Sequence, residues 1–285
     1  MRTSPPSPAP FARLTATRYV QPLREGGSLP AVVDTDHGGL FVAKFRGAGQ
    51  GAKVLVAELI VGSLARAIGL PTPDLAVVDI PAPFGRSEPD PEIQDLLRAS
   101  HGVNVGLRYL DGAFNFDPRA AGDLVTTDFA TRLVWLDALT TNPDRTHRNP
   151  NLLVWHGTPW LIDHGAALYV HHDWASADDA RARAPFPLIR QHVLLDRAGD
   201  LHAADAELAP LLGGDVVRDV LAQVPDALLC DAVSGGEFAS ADAARAKYVW
   251  FLTTRLEGPR AFVDAAVAAR AAAGAEPATR RGARR

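Results

Sequence analysis

The sequence predicts an α+β protein of two lobes, with an N-terminal lobe of antiparallel sheet and one helix and a C-terminal lobe of helices. Short apolar runs separated by turn residues dominate residues 14–110, and this pattern is typical of strands. Apolar residues then recur at intervals of three and four over much of residues 111–272, which indicates helices. Because ligand sites favour the cleft between two such lobes, we expect the functional site at their junction.

The composition excludes several classes of protein. The chain has 285 residues, 47% of them hydrophobic, which is enough to bury a sizeable core. A formal net charge of -4 provides no general basic field, so we expect no nucleic-acid partner. No uninterrupted run of about 18 apolar residues occurs, so no membrane span is predicted. The single cysteine, Cys230, excludes an intrachain disulfide, suits a reducing cytoplasm and is expected to be a small buried hydrophobe.

The N-terminal lobe is predicted over residues 14–110, after a flexible Ser- and Pro-rich segment at residues 1–13. A helix is predicted over residues 53–68, where apolar residues recur at helical spacing and Gly69 supplies the stop. A second, short helix fits residues 92–99. The strands are predicted at residues 17–23, 29–34, 40–45, 75–80 and 103–110.

The C-terminal lobe is predicted over residues 111–272, and the basic tail at residues 273–285 has the composition of a disordered segment. Thr127 is expected to cap a helix that leads into a polar loop at residues 141–151. An apolar hairpin follows the loop at residues 152–162. Further helices are predicted at residues 203–212, 215–222, 241–256 and 259–272.

The polar loop and the hairpin bring three metal-binding side chains to one place. Asp144 and Asn149 lie five residues apart on the loop, and Asp163 follows the return strand of the hairpin, before His164 and Gly165. Such oxygen ligands suit Mg²⁺, which takes one or two carboxylates and leaves its other positions to water and phosphate. Protein kinases use an Asp as base, an Asn five residues later and a subsequent Asp-x-Gly, the last two on metal. The alternative is an Asx-rich turn before a hairpin.

Lys44 provides independent support for a phosphate-binding site. It lies on the strand at residues 40–45, and Glu58 falls within the apolar stripe of the helix at residues 53–68. A buried carboxylate needs a partner, and Lys44 is the natural one. In kinases a strand lysine and a helix glutamate form such a pair, and the lysine contacts the ATP phosphates. The alternative is that Lys44 is a charge exposed on a sheet edge.

The turn between the first two strands is a candidate phosphate loop. Gly26 and Gly27 allow backbone amides to approach a phosphate, and the Ser28 hydroxyl adds a donor. A Gly-Gly hairpin turn would explain the same residues without a ligand. Val42 lies on the same strand face as Lys44, so we also assign it to the nucleotide site.

Two further groups of residues have alternative interpretations. Tyr109 and Leu110 lie at the junction of the lobes, where their backbone groups would meet the edge of adenine; core packing is the alternative. The His171-His172-Asp173 cluster suggests a metal hydrolase, but no matching pair of ligands at the expected spacing accompanies it.

On these residues the chain resembles the HipA-like kinases, a bacterial branch of the protein-kinase-like superfamily that is also similar to phosphatidylinositol kinases. The resemblance extends over residues 14–256 and implies a two-lobed protein-kinase-like fold. The motifs that carry it are at residues 26–30, 41–44, 142–146, 149–153 and 161–165.

The resemblance implies an ATP- and Mg²⁺-dependent enzyme that transfers the γ-phosphoryl group to a hydroxyl. The expected acceptor is a protein Ser or Thr, and a small-molecule alcohol is the alternative. By the same resemblance, Lys44 and the loop at residues 26–28 would bind ATP, Asp144 would act as base, and Asn149 and Asp163 would bind Mg²⁺. Relatives have His two residues after the catalytic Asp, where this chain has Thr146. A nucleotide-binding pseudokinase that recruits partners therefore stays open as a further alternative.

Overall fold

The computed structural model describes residues 10–23, 29–49, 51–82, 84–85, 88–230 and 237–275. The strands are β1 (Ala12–Pro22), β2 (Ala31–Thr35), β3 (Gly39–Lys44), β4 (Leu75–Ile80), β5 (Gly102–Arg108), β6 (Phe114–Asn115), β7 (Leu152–Trp155) and β8 (Thr158–Leu161). The α-helices are α1 (Ala52–Ala67), α2 (Pro91–Ala99), α3 (Thr127–Leu139), α4 (Asp179–Arg183), α5 (Leu201–Leu211), α6 (Gly214–Gln223), α7 (Asp226–Leu229), α8 (Ala241–Glu257) and α9 (Ala261–Ala275). The chain is thus α+β, with an N-terminal sheet and C-terminal helices, as predicted.

The first five strands close into a barrel in the order β1-β2-β3-β5-β4. Four of the neighbouring pairs are antiparallel, but β1 and β4 pair in parallel, with Ala12 opposite Ala76. The predicted all-antiparallel sheet is therefore wrong at this one pair. Two irregularities in the register of β1 against β2 bend the long first strand, and closure then leaves the sheet no free edge. Residues 12 and 13 of the predicted flexible segment belong to β1, and residues 1–9 of that segment lie outside the described residues.

Alternate residues of the strands fill the barrel, and Phe41 and Ala43 of β3 belong to that interior cluster. The side chains of Ile93 and Leu97 on α2 join the same cluster. Helix α2 begins with Pro91, and its N-cap Asp90 accepts a hydrogen bond from Glu92 N at 3.0 Å. The N-terminal sheet thus has two helices, α1 and α2, where the predicted fold class has one.

Helix α1 connects the barrel to the helical part of the chain. Twelve of its 16 residues are buried, so it is a core helix without a solvent face. Its apolar side chains share one cluster with Val105 and Leu107 of β5 and with Leu133 and Leu136 of α3. This shared core fixes α1 against both parts of the molecule, and α1 carries Glu58.

Helix α3 leads directly into the polar loop. Its N-cap is Thr126, one residue before the predicted Thr127, and Thr126 Oγ1 accepts from Phe129 N at 3.1 Å. At its other end the buried Arg255 of α8 donates to the carbonyls of Ala138 and Leu139, which would otherwise lack partners. Burial lowers the pKa of Arg255 to about 10, so this cap stays charged at neutral pH.

The C-terminal elements agree only in part with the sequence predictions. The hairpin of β7 and β8 pairs Leu152 with Leu161, and β6 extends it to a three-stranded sheet. Cys230, expected to be buried, is exposed at the end of α7. Helix α9 continues to Ala275, so residues 273–275 of the predicted disordered tail are helical; the rest of that tail lies outside the described residues. Among the described helices, none has the length and apolar character needed to cross a bilayer.

Candidate active site

Strand β3, helix α1 and the segment after β8 bring three charged side chains together. Lys44 Nζ donates to Glu58 Oε2 at 2.8 Å and to Asp163 Oδ1 at 2.6 Å. Lys44 is only 7% exposed and Glu58 is fully buried, so Lys44 is not an edge charge. The predicted contact between Lys44 and Glu58 is present, and Asp163 joins it from a position 119 residues further along the chain.

The pKa values of Lys44, Glu58 and Asp163 depend on one another. Burial alone lowers the pKa of Lys44, but the two carboxylates outweigh it, so the pKa lies above its ordinary value and the amine stays protonated. The Lys44 charge holds the pKa of Asp163 below its ordinary value. Burial raises the pKa of Glu58, and Lys44 and the backbone N–H of His164 oppose that rise.

The polar loop holds Asp144 by two amide side chains. Asp144 Oδ2 accepts from Asn149 Nδ2 at 2.7 Å and from Asn151 Nδ2 at 3.1 Å. Thr146 closes the turn between them, because its N–H donates to Asn149 O at 3.0 Å and its carbonyl accepts from Asn149 N at 3.2 Å. Thr146, where this chain departs from the family pattern, also accepts from Asn149 N through its Oγ1 at 3.3 Å, so its side chain helps to position Asn149.

Beneath this loop lies a buried set of charges that the sequence analysis missed. Arg145 Nε donates to Asp137 Oδ2 at 2.6 Å, and both side chains are fully buried. His192 Nε2 lies 3.0 Å from the same Asp137 oxygen, and His192 Nδ1 accepts from Leu194 N, so the neutral ring donates through Nε2. Asp137 Oδ1 accepts from Asn142 Nδ2 at 3.0 Å, which ties the set to the start of the loop.

Arg145 also joins the loop to the segment that carries Asp163. Its Nη1 donates to the carbonyls of Asn151 and Ile162, at 2.5 and 3.4 Å, and its Nη2 lies 3.3 Å from His164 Nδ1. Burial and the neighbouring guanidinium lower the pKa of His164 to about 3, so the ring is neutral and its Nδ1 accepts. Arg145 therefore links the loop to the Asp163 segment, in addition to the backbone hydrogen bond from Ile162 N to Asn151 O at 3.1 Å.

The Asp163-His164-Gly165 segment has an unusual backbone. Asp163 has a φ of 54°, in the left-handed region that non-glycine residues rarely occupy. Such backbone strain concentrates at functional sites, and here it occurs at a predicted metal ligand. Gly165 is required by space, since a Cβ there would lie 2.3 Å from Val54 Cγ1 of α1. The glycine of the motif therefore lets the segment pass close beneath α1.

The remaining predicted nucleotide-binding residues lie in different surroundings. Gly26, Gly27 and Ser28 lie outside the described residues. Val42 is half-buried on β3, between Val32 and Leu107 of the neighbouring strands. Its assignment to the nucleotide site stays a prediction.

Tyr109 and Leu110 line a groove of about 690 Å³ that also includes Trp155 and Trp160 but none of the charged cluster around Lys44. The N–H of Tyr109 already donates to Leu40 O at 3.0 Å, so in this structure it is not available to adenine. Contact of these two residues with adenine stays a prediction.

The described residues contain no cluster of three or more His, Cys, Asp or Glu side chains that could bind a metal. In the His171-His172-Asp173 cluster, the His171 ring contacts His172 Nε2 and the Tyr248 hydroxyl, both at 3.1 Å, and Asp173 pairs with Arg181. The metal-hydrolase alternative thus gains no support.

Mg²⁺ carried in by a nucleotide has smaller requirements, namely one or two protein oxygen ligands with phosphate and water. The Asp163 side chain is 44% exposed and Asn149 is exposed, so solvent reaches both. Their exposed oxygen atoms suit a nucleotide-bound Mg²⁺ better than a metal site built from protein alone, and their joint binding of Mg²⁺ stays a prediction.

A strand lysine paired with a helix glutamate, beside the Asp of an Asp-x-Gly segment, corresponds to the Lys–Glu pair and the metal-binding Asp of protein kinases. A similar solved structure is a Helicobacter pylori proinflammatory kinase, CtkA, at 12% identity, covering 94% of this chain and all of that chain with a TM-score of 0.50. At this identity the likeness shows the fold alone. A family model described as HipA-like kinase matches residues 17–181, more than half of the sequence, and the chain belongs to this family. Among curated proteins, none matches it.

Proposed function

We propose that this protein is a two-lobed, ATP- and Mg²⁺-dependent phosphotransferase that moves the γ-phosphoryl group to a hydroxyl. The observation that carries the proposal is the contact of Lys44 with both Glu58 and Asp163, which joins the barrel to the predicted metal-binding segment. We propose a protein Ser or Thr as the acceptor, and a small-molecule alcohol is the alternative within the same chemistry.

Each residue of the site has a defined task in this reaction. Lys44, oriented by Glu58, binds the phosphates, while Asp163 and Asn149 would hold Mg²⁺, which when bound neutralises charge on the phosphates. Asn149 and Asn151 both bind Asp144 Oδ2, which leaves Oδ1 to accept the proton of the acceptor hydroxyl. The hydroxyl oxygen bonds to the γ-phosphorus as the bond from that phosphorus to the bridging oxygen breaks, and ADP leaves.

Asp144→Asn tests the proposal. The variant keeps the size of the side chain but removes the base, and general-base catalysis contributes about 10²–10⁴-fold. We expect Mg-ATP binding close to wild type in calorimetry and loss of phosphotransfer of at least about a hundredfold with radiolabelled ATP. Asp95→Asn, on the exposed face of α2, is the control and keeps full activity.

Two outcomes would contradict the proposal in different ways. Wild-type turnover by Asp144→Asn would refute its role as base. Tight Mg-ATP binding by the wild type without ADP formation, self-labelling or labelling of any lysate protein or metabolite would show a nucleotide-binding module instead of a transferase.

A further inference from the structure

His164, the middle residue of the Asp-His-Gly segment, makes hydrogen bonds in two directions from a fully buried position. Its backbone N–H donates to Glu58 Oε2 at 2.8 Å, on the side of α1. Its ring Nδ1 accepts from Arg145 Nη2 at 3.3 Å, on the side of the polar loop. One residue thus contacts both the partner of Lys44 and the neighbour of Asp144.

These contacts belong to a continuous chain of hydrogen bonds through the interior. It runs from Asp137 to Arg145 at 2.6 Å, on to the His164 ring, and from the His164 backbone to Glu58 and then Lys44. Every side chain along it is less than a tenth exposed. Because hydrogen bonds strengthen in such a low-dielectric interior, a displacement at one end is resisted at the other.

The Arg145 guanidinium is the rigid part of this chain, since its five N–H donors lie in one plane. Nε is bound to Asp137 and Nη1 to backbone carbonyls, and among the described residues the His164 ring is the acceptor recorded for Nη2. Without that acceptor, a charged N–H would be left buried and unsatisfied, and the guanidinium would have to shift within its remaining contacts to find another partner. Asp144 precedes Arg145 directly, so a shift of Arg145 also displaces the base.

We propose that His164 is a positioning residue that, through Arg145, fixes Asp144 relative to the cluster of Lys44, Glu58 and Asp163. This inference rests on the proposed phosphotransferase function. His164 contacts neither nucleotide nor acceptor in this role. What the site requires at this position is a hydrogen-bond acceptor where Nδ1 lies, and a ring of the right size is not sufficient.

Three substitutions separate the hydrogen bond from the packing. His164→Phe keeps a ring but removes the acceptor, His164→Asn places an amide oxygen near the position of Nδ1, and His164→Gln places its amide near Nε2. Because a misplacement of about 1 Å costs about a hundredfold in rate, we expect kcat to fall about tenfold to a hundredfold in the Phe and Gln variants. The Asn variant should recover most of the loss, and KM for ATP should stay within about twofold in all three, since Lys44 and Asp163 keep their contacts.

His171→Phe is the matched control, because its imidazole is equally buried and bonds to Tyr248 and His172, outside the site. We expect a loss of thermal stability similar to that of His164→Phe, with kcat unchanged. Nitrogen-15 spectra of the wild-type histidines provide a readout that is independent of turnover. They should show the His164 ring protonated at Nε2 and unprotonated at Nδ1.

The outcomes distinguish this inference from the function on which it rests. Equal kcat losses in the Phe, Asn and Gln variants would mean that packing matters and the acceptor does not, and unchanged kcat in all three would remove the positioning role. Either result, or a His164 ring protonated at Nδ1, overturns the inference while phosphotransfer stands. Absence of phosphotransfer in the wild type overturns the proposed function, and the positioning role with it.

Discussion

Asp137→Asn removes the central charge of the buried set beneath the polar loop while keeping the shape of the side chain. Asp137 is fully buried and contacts Arg145, His192 and Asn142. Burial raises the pKa of its carboxyl, but Arg145 and His192 more than reverse this, and the pKa falls from 3.8 to about 2. The carboxylate is therefore ionised in the folded protein at all ordinary pH values.

The size of the effect follows from this pKa. A drop from 3.8 to about 2 corresponds to about 2.5 kcal/mol of stability at pH 7. Leaving Arg145 buried without its partner brings the expected loss to about 3–5 kcal/mol. Because the folded pKa of Asp137 lies below the unfolded one, its contribution is complete well above pH 3.8 and is lost as the pH falls towards 2. At pH 3 the wild type should have lost about 1 kcal/mol of it.

Urea denaturation of wild type and Asp137→Asn at pH 7 and pH 3 measures both the loss of unfolding free energy and its dependence on pH. We expect a difference in unfolding free energy of about 3–5 kcal/mol at pH 7 that narrows by about 1 kcal/mol at pH 3. Asp205→Asn is the control, since it removes a carboxylate paired with Arg260 away from the site. It should lower stability without changing kcat, whereas Asp137→Asn should lower both. A difference that is absent at pH 7, or that is the same at both pH values, would refute the reasoning.

Two further substitutions test the predicted metal ligand Asn149 and the close packing of Gly165 beneath α1. Asn149→Ala should raise the Mg²⁺ concentration for half-maximal phosphotransfer by about tenfold or more; an unchanged Mg²⁺ titration would exclude Asn149 as a ligand. Gly165→Ala should cost about 1–3 kcal/mol in urea denaturation, because the new methyl group meets Val54. Adding Val54→Ala should recover part of that loss, and failure to recover any would show that the clash is not the cause.

The site residues whose functional pattern lies within a short stretch of sequence could be predicted. Asp144 and Asn149 are five residues apart, and a pairing of Lys44 with Glu58 is expected because a carboxylate within an apolar helix needs a partner. The same argument applies to Asp137, which lies between Leu136 and Ala138 in α3, and it would have indicated a buried cation near the loop. The sequence does not identify Arg145 as this cation, because exposed residues of the same turn carry the same types of charged side chain.

The fold was predictable where the signals are local and less so where they are not. Helix α1 was predicted to within one residue at each end, because its apolar spacing and the following glycine both mark it. The parallel pairing of β1 with β4 joins segments more than 60 residues apart, and no pattern in either strand specifies its neighbour. Helix α2 was compatible with the pattern, but its nine residues carry only two buried apolar side chains.

The buried charged residues also indicate what the protein interior does besides stabilising the fold. Asp137, Arg145 and Glu58 could in principle be replaced by apolar residues of similar volume, and such exchanges of buried ion pairs are often neutral or stabilising. Their net contribution to stability is therefore a poor explanation for their presence. Apolar side chains cannot form directional hydrogen bonds. The Arg145 guanidinium binds Asp137, three backbone carbonyls and one ring nitrogen, and these bonds restrict the orientation of the loop. On this reasoning the buried charged residues determine where Asp144 and Lys44 lie. The apolar cluster around α1 and α3 supplies most of the stability, and this stability offsets the cost of burying the charges.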